Sequence, residues 1–324
     1  MARIFSGIQP SGELHIGNYL GAVKNWVALQ HEMESFFCVV DLHAITIPYA
    51  PEDLRRRTLE MGISLLASGL DPDVATVFVQ SRVREHTELQ WILNSVTPLG
   101  ELERQTQFKD KASRQESVPA GILNYPVLQA ADILLYRADT VPVGEDQVQH
   151  LELSREIARR WNNRFAEGFF PEPQARLTPT RRIMGLDGNA KMSKSLGNTI
   201  GLLEPPADIW DKLRPAATDP ARVRRTDPGN PDICNIYHLH KAFSTEITVE
   251  HVAMQCRSAG WGCIDCKKVL FDSMEQELSP IRTRAAELKA DPQSITERLD
   301  AGAEKARQVA QRTMTDVRAA MGLE

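Results

Sequence analysis

The sequence predicts an α/β protein: a parallel sheet with helices on its faces, followed by a smaller helical region. Three observations carry the prediction. Apolar runs of strand length alternate with helix-patterned stretches over the first half of the chain. The clearest run, Phe36-Phe37-Cys38-Val39-Val40, is apolar at every position, which suits a strand covered on both faces. Beyond Ile236 the strand-like runs give way to a mainly helical pattern.

Taken in order, Arg3 to Ile8 reads as the first strand, closed by Gly7 and the Gln9-Pro10-Ser11-Gly12 turn. A helix follows from about Asn18, with Leu20, Val23, Trp26 and Val27 on one face. Phe36 to Val40 is the second strand. Pro51-Glu52-Asp53 starts a helix that runs to Ser68 and stops at Gly69. Val74 to Val79 is the next strand, and His86 to Ser95 is helical. Leu123 to Tyr136 and Val148 to Trp161 read as helices, with Thr140 to Gly144 between them as a short strand and turn. The texture changes at Arg176, and residues 203–232 are rich in Pro and Asp, as at a domain boundary. The last element, Ile295 to Met321, sets Ile295, Leu299, Ala303, Ala306, Ala310, Met314, Val317 and Met321 on one stripe.

At 324 residues, with 42% hydrophobic and 25% charged residues, the composition is that of a globular chain of roughly two domains. No apolar run approaches the ~18 residues of a membrane span. Met1 to Gly7 is too short for a secretory segment, which predicts a cytoplasmic protein. The net charge of −5 does not advertise nucleic acid, yet residues 176–225 hold ten Lys/Arg against five Asp/Glu. Arg181, Arg182, Arg214, Arg222, Arg224 and Arg225 form the candidate RNA-facing set.

Two segments carry the chemistry. Pro10-Ser11-Gly12-Glu13-Leu14-His15-Ile16-Gly17-Asn18 places Ser, His and Asn beside glycines that let backbone N–H groups approach a ligand. Lys191-Met192-Ser193-Lys194-Ser195 places two ammonium groups on one turn. A polyphosphate, with several charges close together, needs both kinds of partner. Gly185, Gly188 and Gly197 flank the second segment, as in a loop that closes over its ligand.

These segments resemble the class I aminoacyl-tRNA synthetases. His15-Ile16-Gly17-Asn18 resembles the family's HIGH motif with Asn in the final place, and Lys191 to Ser195 is an intact KMSKS motif. Phe5 to Gly12, Gly100 to Arg104, Ala130 to Tyr136 and Pro142 to Gln147 narrow the likeness to the bacterial, tryptophan-specific branch. The nearest rival is the tyrosine-specific branch; a regulatory relative without charging activity is a second. The resemblance implies a Rossmann-type catalytic domain over 1–185, with the KMSKS loop at 186–197. It further implies a smaller all-helical anticodon-binding domain over 198–285 and C-terminal helices, 286–324, that return to the catalytic domain. The implied assembly is a homodimer and the implied partners are ATP, L-tryptophan and tRNA(Trp), with Mg²⁺ arriving on ATP.

The resemblance also assigns residues. His15, Asn18, Lys191 and Lys194 are the catalytic set. Gln9, Pro10, Ser11, Gly17, Asn18, Gly144, Glu145, Asp146, Ile183 and Lys191 to Ser195 (Met192, Ser193 and Lys194 between them) are the nucleotide set. Phe5, Tyr125, Asp132, Val141, Val143 and Gln147 form the amino-acid pocket, with Gln129 where relatives often carry Met. Asp132 has its own physical argument: an indole N–H only donates, an ionised carboxylate only accepts, and Asp132 lies in an otherwise apolar stretch where an unpaired charge is costly. His43, His86 and His150 show no ligand-like spacing and read as satisfied core or surface histidines.

Of five cysteines, Cys38 stands alone in an apolar run, while Cys234, Cys256, Cys263 and Cys266 fall within 33 residues. In a cytosolic chain such clustering points to metal before disulfides. Four thiolates suit Zn²⁺ or a [4Fe–4S] cluster. Resemblance to a cluster-bearing subset of the family favours iron–sulfur, in a structural role within the helical region.

Overall fold

The computed structural model describes residues 2–323 except 107, 110–116, 145–146 and 178–182, together with all but the side chain at 195. The chain forms two compact units. One comprises Met1–Gly12, Asn25–Thr178 and Asp291–Glu324; the other comprises Glu13–Lys24 and Pro179–Ala290. No helix among the described residues is long and apolar enough to cross a membrane.

The first unit carries a five-stranded parallel sheet: β1 (Arg3–Ile8), β2 (Glu34–Val39), β3 (Thr76–Val79), β4 (Thr140–Val143) and β5 (Gln174–Leu177), in the order β3-β2-β1-β4-β5. This is a Rossmann-type order. It reverses between β1 and β4, and in such sheets ligands bind beyond the carboxyl ends of the strands that flank the reversal. The Gln9–Gly12 turn leaves β1 there and Gly144 leaves β4. The strands are apolar because both faces are covered: Phe36, Phe37, Cys38 and Val39 are all buried. Trp26 stacks on Phe37, ring centroids 5.0 Å apart.

Helices follow in chain order: α1 (Ile16–Asn18), α2 (Lys24–Leu29), α3 (Asp41–Ala44), α4 (Pro51–Ala67), α5 (Glu85–Asn94), α6 (Leu99–Glu103), α7 (Ala120–Leu135) and α8 (Val148–Phe165). In the second unit come α9 (Pro206–Leu213), α10 (Asn235–Phe243), α11 (Glu246–Arg257) and α12 (Cys263–Ala290). The last helix, α13 (Pro292–Met321), belongs to the first unit. Asp291 caps α13 by accepting from Ser294 N. The predicted stripe from Ile295 through Val317 is buried. It packs closely against β3, where a Cβ on Gly302 would stand 2.0 Å from the Val77 carbonyl oxygen. Arg318 clamps Glu88 of α5 with two hydrogen bonds of 2.8 and 2.7 Å.

Where the structure departs from the expected elements, backbone pairing is the cause. β3 starts at Thr76 rather than Val74, because Val74 and Ala75 N–H groups turn back onto the Asp71 carbonyl. β2 starts two residues early, since Glu34 and Ser35 pair with Arg3 and Ile4. β5 was absent from the expected elements: all four of its residues are exposed, so it lacks the apolar signature of the other strands. The first helical segment starts at Ile16, two residues early, and passes through a π-helical turn at Tyr19–Val23.

In the second unit, α12 is the central support. Lys267, buried, donates to the carbonyls of Arg214 and Ala216 at 2.7 and 2.6 Å. Two to three turns on, Glu277 accepts from the Tyr19 hydroxyl at 2.8 Å and pairs with Lys24 at 2.6 Å. One helix therefore grips the segment that follows His15–Asn18 as well as the chain that leads away from the lysine-rich loop.

Candidate active site

The two sequence-distant motifs meet inside the second unit. His15 pairs with Gly201 as an antiparallel bridge, with Ile16 N donating to Ile200 O at 2.9 Å and Leu202 N to Leu14 O at 2.7 Å. Residues 200–202 lie just past the lysine-rich loop, so the pairing ties the start of one motif to the end of the other. A Cβ on Gly17 would lie 3.3 Å from the Cβ of Met192. The glycine is what lets the two backbones approach this closely.

His15 caps the short helix α1: its Nδ1 accepts from Asn18 N at 3.3 Å. That contact leaves the proton of the neutral ring on Nε2. Burial, and then the charges of Lys194 and Lys191, hold the His15 pKa down at about 4. At neutral pH this corner therefore offers an uncharged N–H donor beside two ammonium groups. The combination suits an anion with several oxygens.

The lysine-rich loop is a small hairpin with a pinned exit. Gly185 N donates to Ala190 O at 2.7 Å and Met192 N to Ile183 O at 3.2 Å. The buried Asn198 fixes its far side: its Oδ1 accepts from Ser193 N at 2.8 Å and its Nδ2 donates to Asp187 at 3.1 Å. Gly185 is required there, because a Cβ would stand 2.0 Å from the Asn198 amide nitrogen. Gly197 turns the chain at φ +63°, and Lys191 and Lys194 are exposed. Asn198 went unnoticed in the sequence; a polar residue three beyond a motif carries no pattern of its own.

The residues assigned to the amino-acid pocket gather in the first unit, around Asp132 on α7. This carboxylate is buried and holds three protein donors. Gln80 Nε2 and His86 Nδ1 each reach Oδ1 at 2.6 Å, and His43 Nε2 reaches Oδ2 at 2.9 Å. Burial alone raises a carboxyl pKa; here the hydrogen bonds from His43 and His86 outweigh it and hold Asp132 below the usual carboxylate range. Gln80 is itself oriented, since its Oε1 accepts from Leu42 N. Tyr125 and Gln147 are joined through His150: the Tyr125 hydroxyl lies 3.0 Å from Nε2, and Nδ1 lies 3.1 Å from Gln147 Oε1. Gln Oε1 only accepts, so Nδ1 carries the proton and the tyrosine donates to Nε2. Burial raises the Tyr125 pKa, so the hydroxyl keeps its proton.

Phe5, Val141 and Val143 are buried in the apolar core, and Phe5 stacks on Tyr136 at 5.5 Å. Gln129 is half-buried on α7. His43, His86 and His150 are satisfied core histidines, and their partners Asp132, Tyr125 and Gln147 are residues assigned to the pocket by resemblance. Spacing could not reveal this, because Asp132 and its donors come from four separate elements. Glu145, Asp146, Arg181, Arg182 and the side chain of Ser195 lie outside the described residues. Arg222 turns its guanidinium inward, onto the Trp261 and Arg225 carbonyls, rather than toward a nucleic acid.

Cys234, Cys256, Cys263 and Cys266 all line one cavity in the second unit, together with Arg222 and Trp261. Burial and the other three thiols push Cys266 up to about 12. The soft donor set fits a thiolate-held metal or cluster. As the side chains stand, no group of three or more His, Cys, Asp or Glu among the described residues is arranged around an ion.

The model of the family described as tRNA synthetases class I (W and Y) matches residues 1–279. The chain is 57% identical to the tryptophan–tRNA ligase of Deinococcus radiodurans over 327 residues, 99% of each protein. It is 47% identical to that of a Synechocystis strain, over 99% of this chain and 97% of the relative. Among solved structures, tryptophanyl-tRNA synthetase from Campylobacter jejuni, complexed with ADP and tryptophan, superposes with a TM-score of 0.89 at 37% identity, over 99% of both chains. The tyrosyl-tRNA synthetase of Archaeoglobus fulgidus shares the fold, with a TM-score of 0.70 at 24% identity.

Proposed function

The chain belongs to the class I tRNA synthetases of the tryptophan and tyrosine group, and within it we infer a tryptophan–tRNA ligase. The tryptophan carboxylate attacks the α-phosphate of ATP and releases pyrophosphate. The activated amino acid then passes to the 3′-terminal ribose of tRNA(Trp). No side chain needs to form a covalent bond, so catalysis is positioning and charge stabilisation.

The observation that carries this reading is the meeting of the two motifs. His15, through Nε2–H, and Asn18 donate to phosphate oxygens as neutral groups, so they do not over-hold the product. Lys191 and Lys194 neutralise charge as it develops on the leaving pyrophosphate. The resemblance assigns Gln9, Pro10, Ser11, Gly17, Gly144, Glu145, Asp146, Ile183, Met192, Ser193 and Ser195 to the rest of the nucleotide set. Mg²⁺ enters on ATP, held mainly by phosphate oxygens.

The choice of tryptophan over tyrosine rests on the likeness to the tryptophan–tRNA ligases, and Asp132 is the side-chain acceptor in this reading. Its oxygens only accept, and an indole N–H only donates. Oδ1 already has two donors and Oδ2 one, so Oδ2 keeps the open acceptor position. Tyr125 and Gln147 address the α-amino group, and Phe5, Val141 and Val143 wall the ring. The relative from Campylobacter jejuni, crystallised with ADP and tryptophan, supports the same pair of ligands.

The cytoplasmic location rests on the composition of Met1 to Gly7, and the homodimer and the anticodon-reading role of residues 198–285 rest on family resemblance. So does the [4Fe–4S] cluster, with Zn²⁺ as the alternative. Cys234, Cys256, Cys263 and Cys266 would hold it, and when bound it would cross-link the ends of α10, α11 and α12. Stoichiometric zinc without iron in anaerobically purified protein would exclude the cluster.

The test of function is charging. Purified protein with ATP, Mg²⁺ and total bacterial tRNA should attach labelled tryptophan to acid-precipitable RNA. Absence of charging, by protein that binds ATP, would leave the motifs without their reaction.

A further inference from the structure

Behind Asp132 stands a second layer that the reaction does not itself require. His86 is fully buried; its Nδ1 reaches Asp132 Oδ1 and its Nε2 lies 2.7 Å from the Tyr136 hydroxyl. Tyr136 is fully buried too. Its ring is held between Phe5 and Phe36, at 5.5 and 4.6 Å, with Phe78 edge-on at 5.7 Å. Burial keeps this hydroxyl protonated.

The proton count permits one economical arrangement. The Tyr136 hydroxyl has one proton and no other partner among the described residues. If it donates to Nε2, His86 is neutral and Nδ1–H donates to Asp132. If His86 were doubly protonated, Nε2–H would point at the tyrosine oxygen. The tyrosine proton would then be buried without an acceptor, which is costly.

We propose that Tyr136 and His86 are positioning residues for side-chain recognition: they fix Asp132 as an anion, saturate Oδ1 and leave Oδ2 to the incoming donor. The proposal rests on the reading of Asp132 as the indole acceptor. It adds that specificity depends on two residues that touch no substrate. The charged and titratable groups around this site are Cys38 on β2, Asp41 and His43 on α3, Glu85 beside His86 on α5, and Tyr136 at the end of α7.

The experiment measures tryptophan-dependent ATP–pyrophosphate exchange in four variants. His86→Leu deletes one hydrogen bond to a charged oxygen. The KM for tryptophan should rise about 10- to 100-fold, while the KM for ATP and kcat stay within about twofold. His86→Asn places an amide N–H where Nδ1–H stood and should recover most of that loss. Tyr136→Phe removes the hydrogen bond that holds Nε2 and so loosens the imidazole, and its tryptophan KM should rise several-fold while the KM for ATP holds. An unchanged tryptophan KM in folded His86→Leu overturns the proposal. So does a loss shared equally by tryptophan and ATP that His86→Asn does not repair, which is the signature of a structural role. Should His86→Leu be insoluble, an unchanged tryptophan KM in Tyr136→Phe overturns it instead. Asp132→Ala separates the two claims: if it leaves the tryptophan KM unchanged, the reading of Asp132 fails. If it raises that KM while His86→Leu does not, only the positioning claim fails.

Discussion

Gly17→Ala is a wedge driven between the two motifs. Gly17 lies in α1 with a φ outside the left-handed range, so alanine fits its backbone. On helix propensity alone the change should stabilise by roughly 0.5–1 kcal/mol. Sterically it does the reverse. The new methyl would lie 3.0 Å from His15 Cε1 and Nδ1 and 3.3 Å from Met192 Cβ. Carbon contacts prefer about 3.5–4.0 Å, so the neighbours must yield by roughly half an ångström. The His15 ring can swing, but in the proposed reaction it is the donor assigned to the phosphates. Met192 Cβ is fixed to the backbone, so its retreat moves the lysine loop. Misplacement by about 1 Å costs on the order of 100-fold in rate, which puts the expected loss of pyrophosphate exchange at roughly 10- to 100-fold. Equilibrium binding of tryptophan should hold, and the melting temperature should change little, because helix propensity and crowding oppose each other. Exchange within twofold of the parent would refute the packing of the two motifs that the function requires.

Lys194→Ala should depress exchange by about 100-fold or more with the fold intact, read by circular dichroism beside the assay; near-normal exchange would remove its role. His15 should stay neutral through pH 6–8 and titrate near 4 by NMR, moving toward 6.5 in Lys194→Met. The sign of its stability contribution follows. The unfolded chain binds the proton first, so the contribution is full above pH 6.5 and is lost as pH falls toward about 4. A His15 midpoint unmoved by Lys194→Met would contradict the proximity of the two motifs. Gly302→Ala should destabilise by about 1–3 kcal/mol in urea titration, because its methyl would collide with the Val77 carbonyl between α13 and β3. A neutral outcome would mean that α13 can lift from the sheet without loss.

The fold was legible where burial writes a pattern. β1 falls on its expected residues, and the stripe of α13 was readable because one face of a long helix meets the sheet. Gly302 sits within that stripe yet was missed, since a glycine adds nothing to an apolar count. β5 was missed because an exposed edge strand has no burial pattern. The motifs were legible because phosphate chemistry demands particular residues at fixed local spacing. The shell around Asp132 was not. His43, Gln80 and His86 are brought to one carboxylate by α3, the end of β3 and α5, and only the folded sheet relates those positions. The same holds for His150, between Tyr125 and Gln147, and for Asn198, whose task is set by a hairpin it does not belong to.

The most direct measurement is exchange of labelled pyrophosphate into ATP, run once with tryptophan and once with tyrosine as the only amino acid. The likeness to tryptophan–tRNA ligases over nearly the whole chain, with the proposed reading of the two motifs, predicts rapid exchange with tryptophan and exchange lower by orders of magnitude with tyrosine. Equal exchange with both, or exchange driven by tyrosine, would contradict the account at its centre.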